Sequence, residues 1–314
     1  MGFGGARTRR LRRDTPGAGL KILFVTHTRI GDAVLSSGLL RHLVDRYPNA
    51  HFTIACGPLA APLFAATPRL DRIIVVAKKP FDLHWLSLWK ELRGTVWDIA
   101  VDLRRSALAY LIPVRARYIV GPIAPGIHHV EHLTALLPEA GAAAPSLFVT
   151  DHHRARAALL IPDGAPVLAI APVAATEAKT WPPERFAVLV SQLTGDGGLC
   201  AGWRIALFGG PGDEVRAAPL VSAMGRECIK IFSEMDLLSV HAALERCGAF
   251  IGNDSGLSHL AAAAGIPVLA LFGPTDPARY GPWGGRTVQA ANGAISNLSV
   301  DDVATAFGNL LKSR

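Results

Sequence analysis

The chain has 314 residues, 50% hydrophobic and 18% charged, with a formal net charge of +7 and four cysteines. This composition excludes a disordered chain, a collagen-like repeat and a small disulfide-stapled scaffold, and the length fits about two domains. Residues 1–20 hold five arginines (Arg7, Arg9, Arg10, Arg12, Arg13) against Asp14 alone, a balance of +4 that leaves +3 for all the rest.

That basic tail has two readings. It is a flexible arm without a role, or one drawn to anionic lipid headgroups at about 1 kcal/mol per basic residue near the surface. The body lacks basic stripes interleaved with aromatics, so nucleic acid is not an expected partner. No stretch reaches the roughly 18–20 apolar residues of a membrane span. The longest, Leu260–Phe272, is interrupted by Gly265 and Pro267. No apolar run directly follows the arginines, so no secretory signal is expected. Cys56, Cys200, Cys228 and Cys247 are scattered without a CxxC, which reads as free thiols in a reducing cytosol.

After residue 20 the pattern alternates strand and helix. KILFVT (21–26) is an unbroken apolar run, as in a strand covered on both faces. Residues 33–47 carry helical spacing and stop at Pro48-Asn49. Strands are expected at 51–56, 72–77, 97–103 and 116–120, and helices at 83–93 and 131–137. A second cycle begins near Pro166, with strands at 166–171, 204–210, 249–253, 267–272 and 287–290. Helices are expected at 183–193, from 210 to about 224, and at 236–246, 255–264 and 300–312. The spacing therefore predicts two doubly wound α/β domains, 21–155 and 156–296, then a C-terminal segment, 297–314. Ligands of such sheets bind beyond the carboxyl ends of the strands, here in a cleft between the domains.

Four post-strand segments carry candidate chemistry. THTRIGDAVLS (26–36) has a single glycine, Gly31, where a dinucleotide fingerprint needs GxGxxG, which disfavours a nicotinamide oxidoreductase. Asp32 reads either as a helix N-cap or as a carboxylate facing the cleft that takes a proton from a hydroxyl nucleophile. Arg29 and Gly31 beside it are candidates for acceptor contacts. APVAATEAKTWPPERF (171–186) places Thr176 and Lys179 before a Pro-started helix, a set suited to a diphosphate, unless Lys179 is an ordinary surface lysine. In FGGPGDE (208–214), Gly209 permits close backbone approach, and Glu214 is either a ribose acceptor or a helix-dipole partner.

The fourth segment, FIGNDSGLSHLAAAAGIPVLALFGPTDPARYGPWG (250–284), is the most specific. Asp254, Ser255, Gly256 and His259 fall in the first turn after a strand, where free amides and the helix dipole suit a diphosphate. Capping explains Asp254 or Ser255 singly, and core packing explains His259 singly; their clustering favours a site. His128–His132 matches HxxEH but lacks a downstream acidic ligand, and no Asp-x-Asp occurs, so no metal site is expected.

RIGDAVLS, KTWPPERF and NDSGLSHLAAAAGIPVLALFGPTDP, in that order, resemble the ADP-heptose:lipopolysaccharide heptosyltransferases of glycosyltransferase family 9. The resemblance implies the GT-B fold, with the acceptor on the N-terminal domain, the nucleotide sugar on the C-terminal domain, and a final helix crossing back to the N-terminal domain. It implies a metal-independent inverting transfer without a cofactor, from ADP-heptose to a lipid-linked glycan, in the cytoplasm at the inner face of the inner membrane. Asp32 matches the proposed base and Lys179 the residue that offsets diphosphate charge. Thr176, Gly209, Glu214, Asp254, Ser255, Gly256 and His259 match donor-side positions, and Met235 matches one beside the adenine. The alternatives are another nucleotide sugar or a non-core acceptor, and a non-catalytic nucleotide-sugar-binding protein.

Overall fold

A computed structural model describes residues 19–78, 80–225, 228–232 and 236–313. The arginine tail through residue 18, and Met235, lie outside the described residues.

The N-terminal unit runs β1 (Lys21–Val25), α1 (Ile30–Arg46), β2 (His51–Cys56), β3 (Leu70–Val75), α2 (Leu83–Leu92), β4 (Trp97–Asp102), α3 (Leu108–Leu111), β5 (Val114–Ile119) and α4 (His129–Thr134). Its five strands are parallel, in the order β3-β2-β1-β4-β5. After α5 (Asp151–Leu160) come β6 (Val167–Ala171), α6 (Pro183–Thr194), β7 (Arg204–Phe208), α7 (Asp213–Arg216), α8 (Ala218–Met224), β8 (Ile229–Ile231) and α9 (Leu237–Leu244). The chain continues with β9 (Ala249–Asn253), α10 (Gly256–Ala263), β10 (Val268–Phe272), α11 (Pro277–Tyr280), β11 (Arg286–Gln289) and α12 (Val300–Lys312). The second sheet is also parallel, in the order β11-β10-β9-β6-β7-β8.

Burial follows position in the sheet. Every residue of β6, β9 and β10 is buried, because helices cover both faces, whereas the edge strands β3 and β11 are largely exposed. Each strand order reverses once, between β1 and β4 and between β6 and β9. Those two crevices are where such sheets hold ligands.

One apolar cluster crosses from the N-terminal unit into the C-terminal unit. Phe24, Leu39 and Phe52 belong to it on one side, and Leu244, Phe250 and Leu260 on the other. The seam is made where α1 packs on α10 and where the turn at Ala61–Phe64 packs on α9.

Two expectations need correction. The final helix does not cross back onto the N-terminal domain. Val303, Phe307 and Leu310 share one face of α12, and it packs against α6, β10 and β11. The apolar face of α6 (Phe186, Leu189, Leu193), with Trp181 in the same cluster, needs a cover, and α12 supplies it. The domain boundary at 155/156 also falls inside α5, which packs on α9 and so belongs with the C-terminal unit. Only Ala157 of α5 is buried, so the segment has little apolar periodicity to announce a helix. It starts at a capping box in which the Thr150 hydroxyl and the His153 ring each bond the other's backbone amide.

Candidate functional site

The C-terminal crevice is built around Asn253, the last residue of β9. Its buried amide accepts a hydrogen bond from Trp181 N–H (3.0 Å) and donates to Pro172 O (2.8 Å). The loop after β6 is thus held at both ends. Trp181 is anchored again by Nε1–H to Leu298 O (3.0 Å). Arg216 of α7 steadies the middle of the loop, donating to Ala174 O (2.9 Å) and pairing with Glu177 (3.3 Å). Asn253 and Arg216 are unmarked in the sequence, because a strand-end Asn and a helical Arg carry no signal without their partners.

The fixed loop delivers Lys179 to the crevice. Its Nζ lies 2.6 Å from Oδ2 of Asp254, a buried carboxylate at the entry to α10. Lys179 is therefore no ordinary surface lysine. Ser255 holds the N-cap position of α10, but its side chain makes no capping bond, and Oγ is buried without a hydrogen-bond partner among the described residues. Neither Asp254 nor Ser255 caps the helix with its side chain, so the amides there remain open to a ligand. One turn on, His259 is buried with Nδ1 unpartnered. Burial pushes its pKa down to about 4; Asp254 and Asp32 oppose the shift, and His128 and Lys179 add to it. The imidazole is neutral at pH 7.

Across the seam, α1 brings its first turn to the same place. A Cβ on Gly31 would lie 2.9 Å from His259 Cδ2, and one on Gly256 would lie 2.7 Å from Ile30 Cγ2. Both glycines are thus needed for two helix starts to meet, and Gly31 faces the donor-side helix. Arg29 is exposed and is the N-cap residue of α1, so Asp32 is not the N-cap. Asp32 sits half-buried in the first turn, with no hydrogen bond or ion pair among the described residues. Its charge reaches both His27 and His259, and burial lowers the pKa of His27 as well.

Gly209, Thr176 and Glu214 have the following surroundings. The space a side chain on Gly209 would need is filled by the Phe232 ring, 2.5 Å from a built Cβ, so packing explains that glycine. Thr176 is exposed; its carbonyl accepts from Lys179 N–H and the Thr180 hydroxyl, which shapes the loop. Glu214 is exposed in α7, without a hydrogen-bond partner among the described residues.

The N-terminal crevice holds a second group of residues. Asp102, buried at the end of β4, accepts bonds from Arg104 N–H, Ser106 N–H and the Ser106 hydroxyl. This ties the turn that carries Arg105 in a left-handed conformation, φ 53°. Arg105 lines a cavity of about 180 Å³ with Leu103, Val120, His129, His132 and, from the other unit, Arg279. Both ring nitrogens of His129 are buried without a hydrogen-bond partner among the described residues, and burial pushes its pKa down to about 3. Its ring contacts His27 (5.5 Å between centroids) and Tyr280 (5.7 Å). His128 reaches Gly281 O (3.0 Å) and packs on Trp283. The HxxEH residues therefore join the two units. Among the described residues no three His, Cys, Asp or Glu side chains converge as a metal centre would require.

The chain as a whole is similar to known proteins. It is 27% identical over 305 residues to the lipooligosaccharide heptosyltransferase 2 of Haemophilus influenzae, covering 84% of this chain and 86% of that one. It is 25% identical to the lipopolysaccharide heptosyltransferase 2 of Escherichia coli K12, covering 82% and 84%. Among solved structures, a glycosyl transferase family 9 protein from Veillonella parvula superposes with a TM-score of 0.78 at 21% identity, covering 95% and 98%. The E. coli heptosyltransferase WaaC with ADP superposes at 0.72 and 20%, covering 93% and 100%. These structures give the fold, two α/β units in the GT-B arrangement. The profile of glycosyltransferase family 9 (heptosyltransferase) matches residues 105–305, about two thirds of the chain, and the protein is a glycosyltransferase belonging to that family.

Proposed function

We propose that this enzyme moves heptose from ADP-heptose to a lipid-linked glycan of the lipopolysaccharide core, with inversion and without a metal or cofactor. One observation carries the reading. The open amide end of α10, the Lys179–Asp254 pair and two buried unpartnered atoms, Ser255 Oγ and His259 Nδ1, face an unpaired carboxylate, Asp32, across the seam. The first group suits a sugar diphosphate, and Asp32 suits a hydroxyl nucleophile.

In this reading the acceptor oxygen attacks the anomeric carbon while the bond to the diphosphate breaks, and ADP leaves with the electron pair. A hydroxyl has a pKa far above 7, so Asp32 takes its proton only as the new bond forms. The charge growing on the diphosphate meets the amides of α10 and the ammonium of Lys179, which are already in place. Asp254 orients Lys179 and accepts from a sugar hydroxyl. A neutral His259 can donate or accept toward the sugar without adding charge beside Asp32. Thr176 and Glu214 would meet the phosphates and the ribose at the open side. Arg29 would meet the acceptor.

The relatives support the substrate class, being lipopolysaccharide and lipooligosaccharide heptosyltransferases by name. Among the described residues no helix is long and apolar enough to cross a membrane. We place the reaction in the cytoplasm, at the membrane face where a lipid-linked acceptor is presented.

The test is calorimetric titration with ADP, UDP and NAD, with turnover measured for Asp32→Asn. Binding of ADP alone, together with loss of transfer but retained ADP affinity in Asp32→Asn, supports the reading. Preference for UDP would overturn the donor, near-normal turnover in the variant would remove Asp32 as base, and activity lost to EDTA but restored by Mg²⁺ would overturn the metal-free mechanism.

A further inference from the structure

The described residues expose thirteen large hydrophobic side chains, and five of them come from one place, the segment entering α2 together with α3. The two helices lie side by side, joined by Trp89 Nε1–H to Leu111 O (3.0 Å). Phe81 is 96% exposed and Tyr110 70% exposed, with Leu83, Leu86 and Leu111 also in solvent. Phe81 and Asp82 both take left-handed backbone angles, φ 52° and 55°, which Asp tolerates but which are unfavourable for Phe. Among the described residues the Phe81 ring has no aromatic or cation–π partner.

The charges around these residues are mostly positive. Leu83, Leu86, Lys90 and the C-cap residue Arg93 fall at i, i+3, i+7 and i+10, one stripe along α2 that is apolar at its start and basic at its end. Lys78 precedes the stripe, and the Arg104 guanidinium lies 4.8 Å from the Trp85 ring centre. Asp82 and Glu91 are the acidic residues of the same segment. Phe81 and Leu83 follow the carboxyl end of β3, at the edge of the sheet that also carries Asp32. Arg104 links the two places, since its charge is felt by His27, which also feels Asp32.

We infer that the face formed by Phe81, α2 and α3 docks on a lipid bilayer bearing anionic headgroups. Aliphatic and aromatic side chains enter the headgroup–acyl boundary, and the surrounding lysines and arginines meet lipid phosphates. The face is formed by one short helix and a single turn. Its cations complement a negative surface. This deepens the reading above by naming the surface that presents the cleft to a lipid-linked acceptor. It rests on that reading only for the direction in which the acceptor arrives.

The test is flotation of the full-length protein with vesicles of phosphatidylglycerol and phosphatidylcholine in equal parts, and with phosphatidylcholine alone. The variants are Phe81→Ser/Leu83→Ser/Leu86→Ser and, separately, Lys90→Glu/Arg93→Glu. Wild type should float with the anionic vesicles and not the neutral ones, and each variant should partition at least about tenfold less while melting within a few degrees of wild type. Unchanged flotation of the triple variant would assign binding elsewhere, the arginine tail included, and would overturn the proposal. So would equal binding to neutral vesicles, no flotation of wild type, or a wild-type dimer that the triple variant converts to monomer. Turnover on a delipidated acceptor separates this inference from the enzymatic one. The triple variant should match wild type there; absence of any turnover would sink the activity and leave the docking result standing.

Discussion

Gly31 and His259 come from different halves of the chain, yet the imidazole of one fills the space a side chain on the other would need, with 2.9 Å left to a built Cβ. The contact fixes how closely α1 and α10 approach, and therefore how far Asp32 stands from the donor-side helix.

Gly31→Ala is expected to destabilise the protein. The alanine gains at most about 1 kcal/mol of helix propensity. Overpacking against a buried ring costs about 1–3 kcal/mol, so the net sign is a loss. Transfer should fall further than stability, because the seam widens at Asp32. A melting temperature equal to wild type would mean that His259 moves aside freely.

Lys179→Ala leaves Asp254 buried without its cation, and Asp254→Asn leaves Lys179 without its anion. The double variant should be less destabilised than the sum of the singles, with a coupling of about 1–3 kcal/mol by urea unfolding. Strict additivity would show that the 2.6 Å contact carries no energy. ADP affinity should drop at least tenfold in Lys179→Ala.

Asn253→Leu removes the acceptor for Trp181 N–H and the donor to Pro172 O, both buried. Leaving two such groups unpaired costs about 1–3 kcal/mol each. The loop that carries Lys179 loosens as well, so ADP binding should weaken although Asn253 is not proposed to touch ADP. Lost stability with unchanged ADP affinity would confine Asn253 to the fold.

The neutral histidines set a pH dependence. Burial holds His259 near pKa 4 and His129 near 3, while His27 is lowered too. Below about pH 6.5 the unfolded chain binds protons that these folded-state rings refuse, so their contribution is complete above pH 6.5 and is lost as pH falls toward 4. Each can contribute up to about 1.4 kcal/mol per pH unit in that window. Asp102, with its pKa raised by burial, works in the opposite sense. His129→Leu also removes two unpartnered nitrogens, so its stability should fall less steeply between pH 7 and pH 5. A slope matching wild type would show that His129 titrates normally.

Phe307→Ala should destabilise by about 3–5 kcal/mol, as for a fully buried ring. Amide exchange should quicken in α6 and β10, which α12 covers. Quickening confined to the N-terminal unit would contradict the packing of α12.

The sequence by itself determined the two parallel sheets, because fully buried strands write unbroken apolar runs such as VLAIA and VLALF, and Pro and Gly mark the helix ends. It also brought Asp254, Ser255, Gly256 and His259 together, since one helical turn after a strand is a local arrangement. Tertiary structure decided what depends on partners far along the chain. The stripe Val303, Phe307, Leu310 announces a buried face but not which face it meets. Lys179 and Asp254 are 75 residues apart, and Asn253 reaches residues 72 and 81 positions away. His27 and His129 are about a hundred residues apart, and only the fold brings their rings together and strips them of water. Local periodicity records burial and helix ends, whereas pairing across the seam is set by the shapes that two finished sheets present to each other.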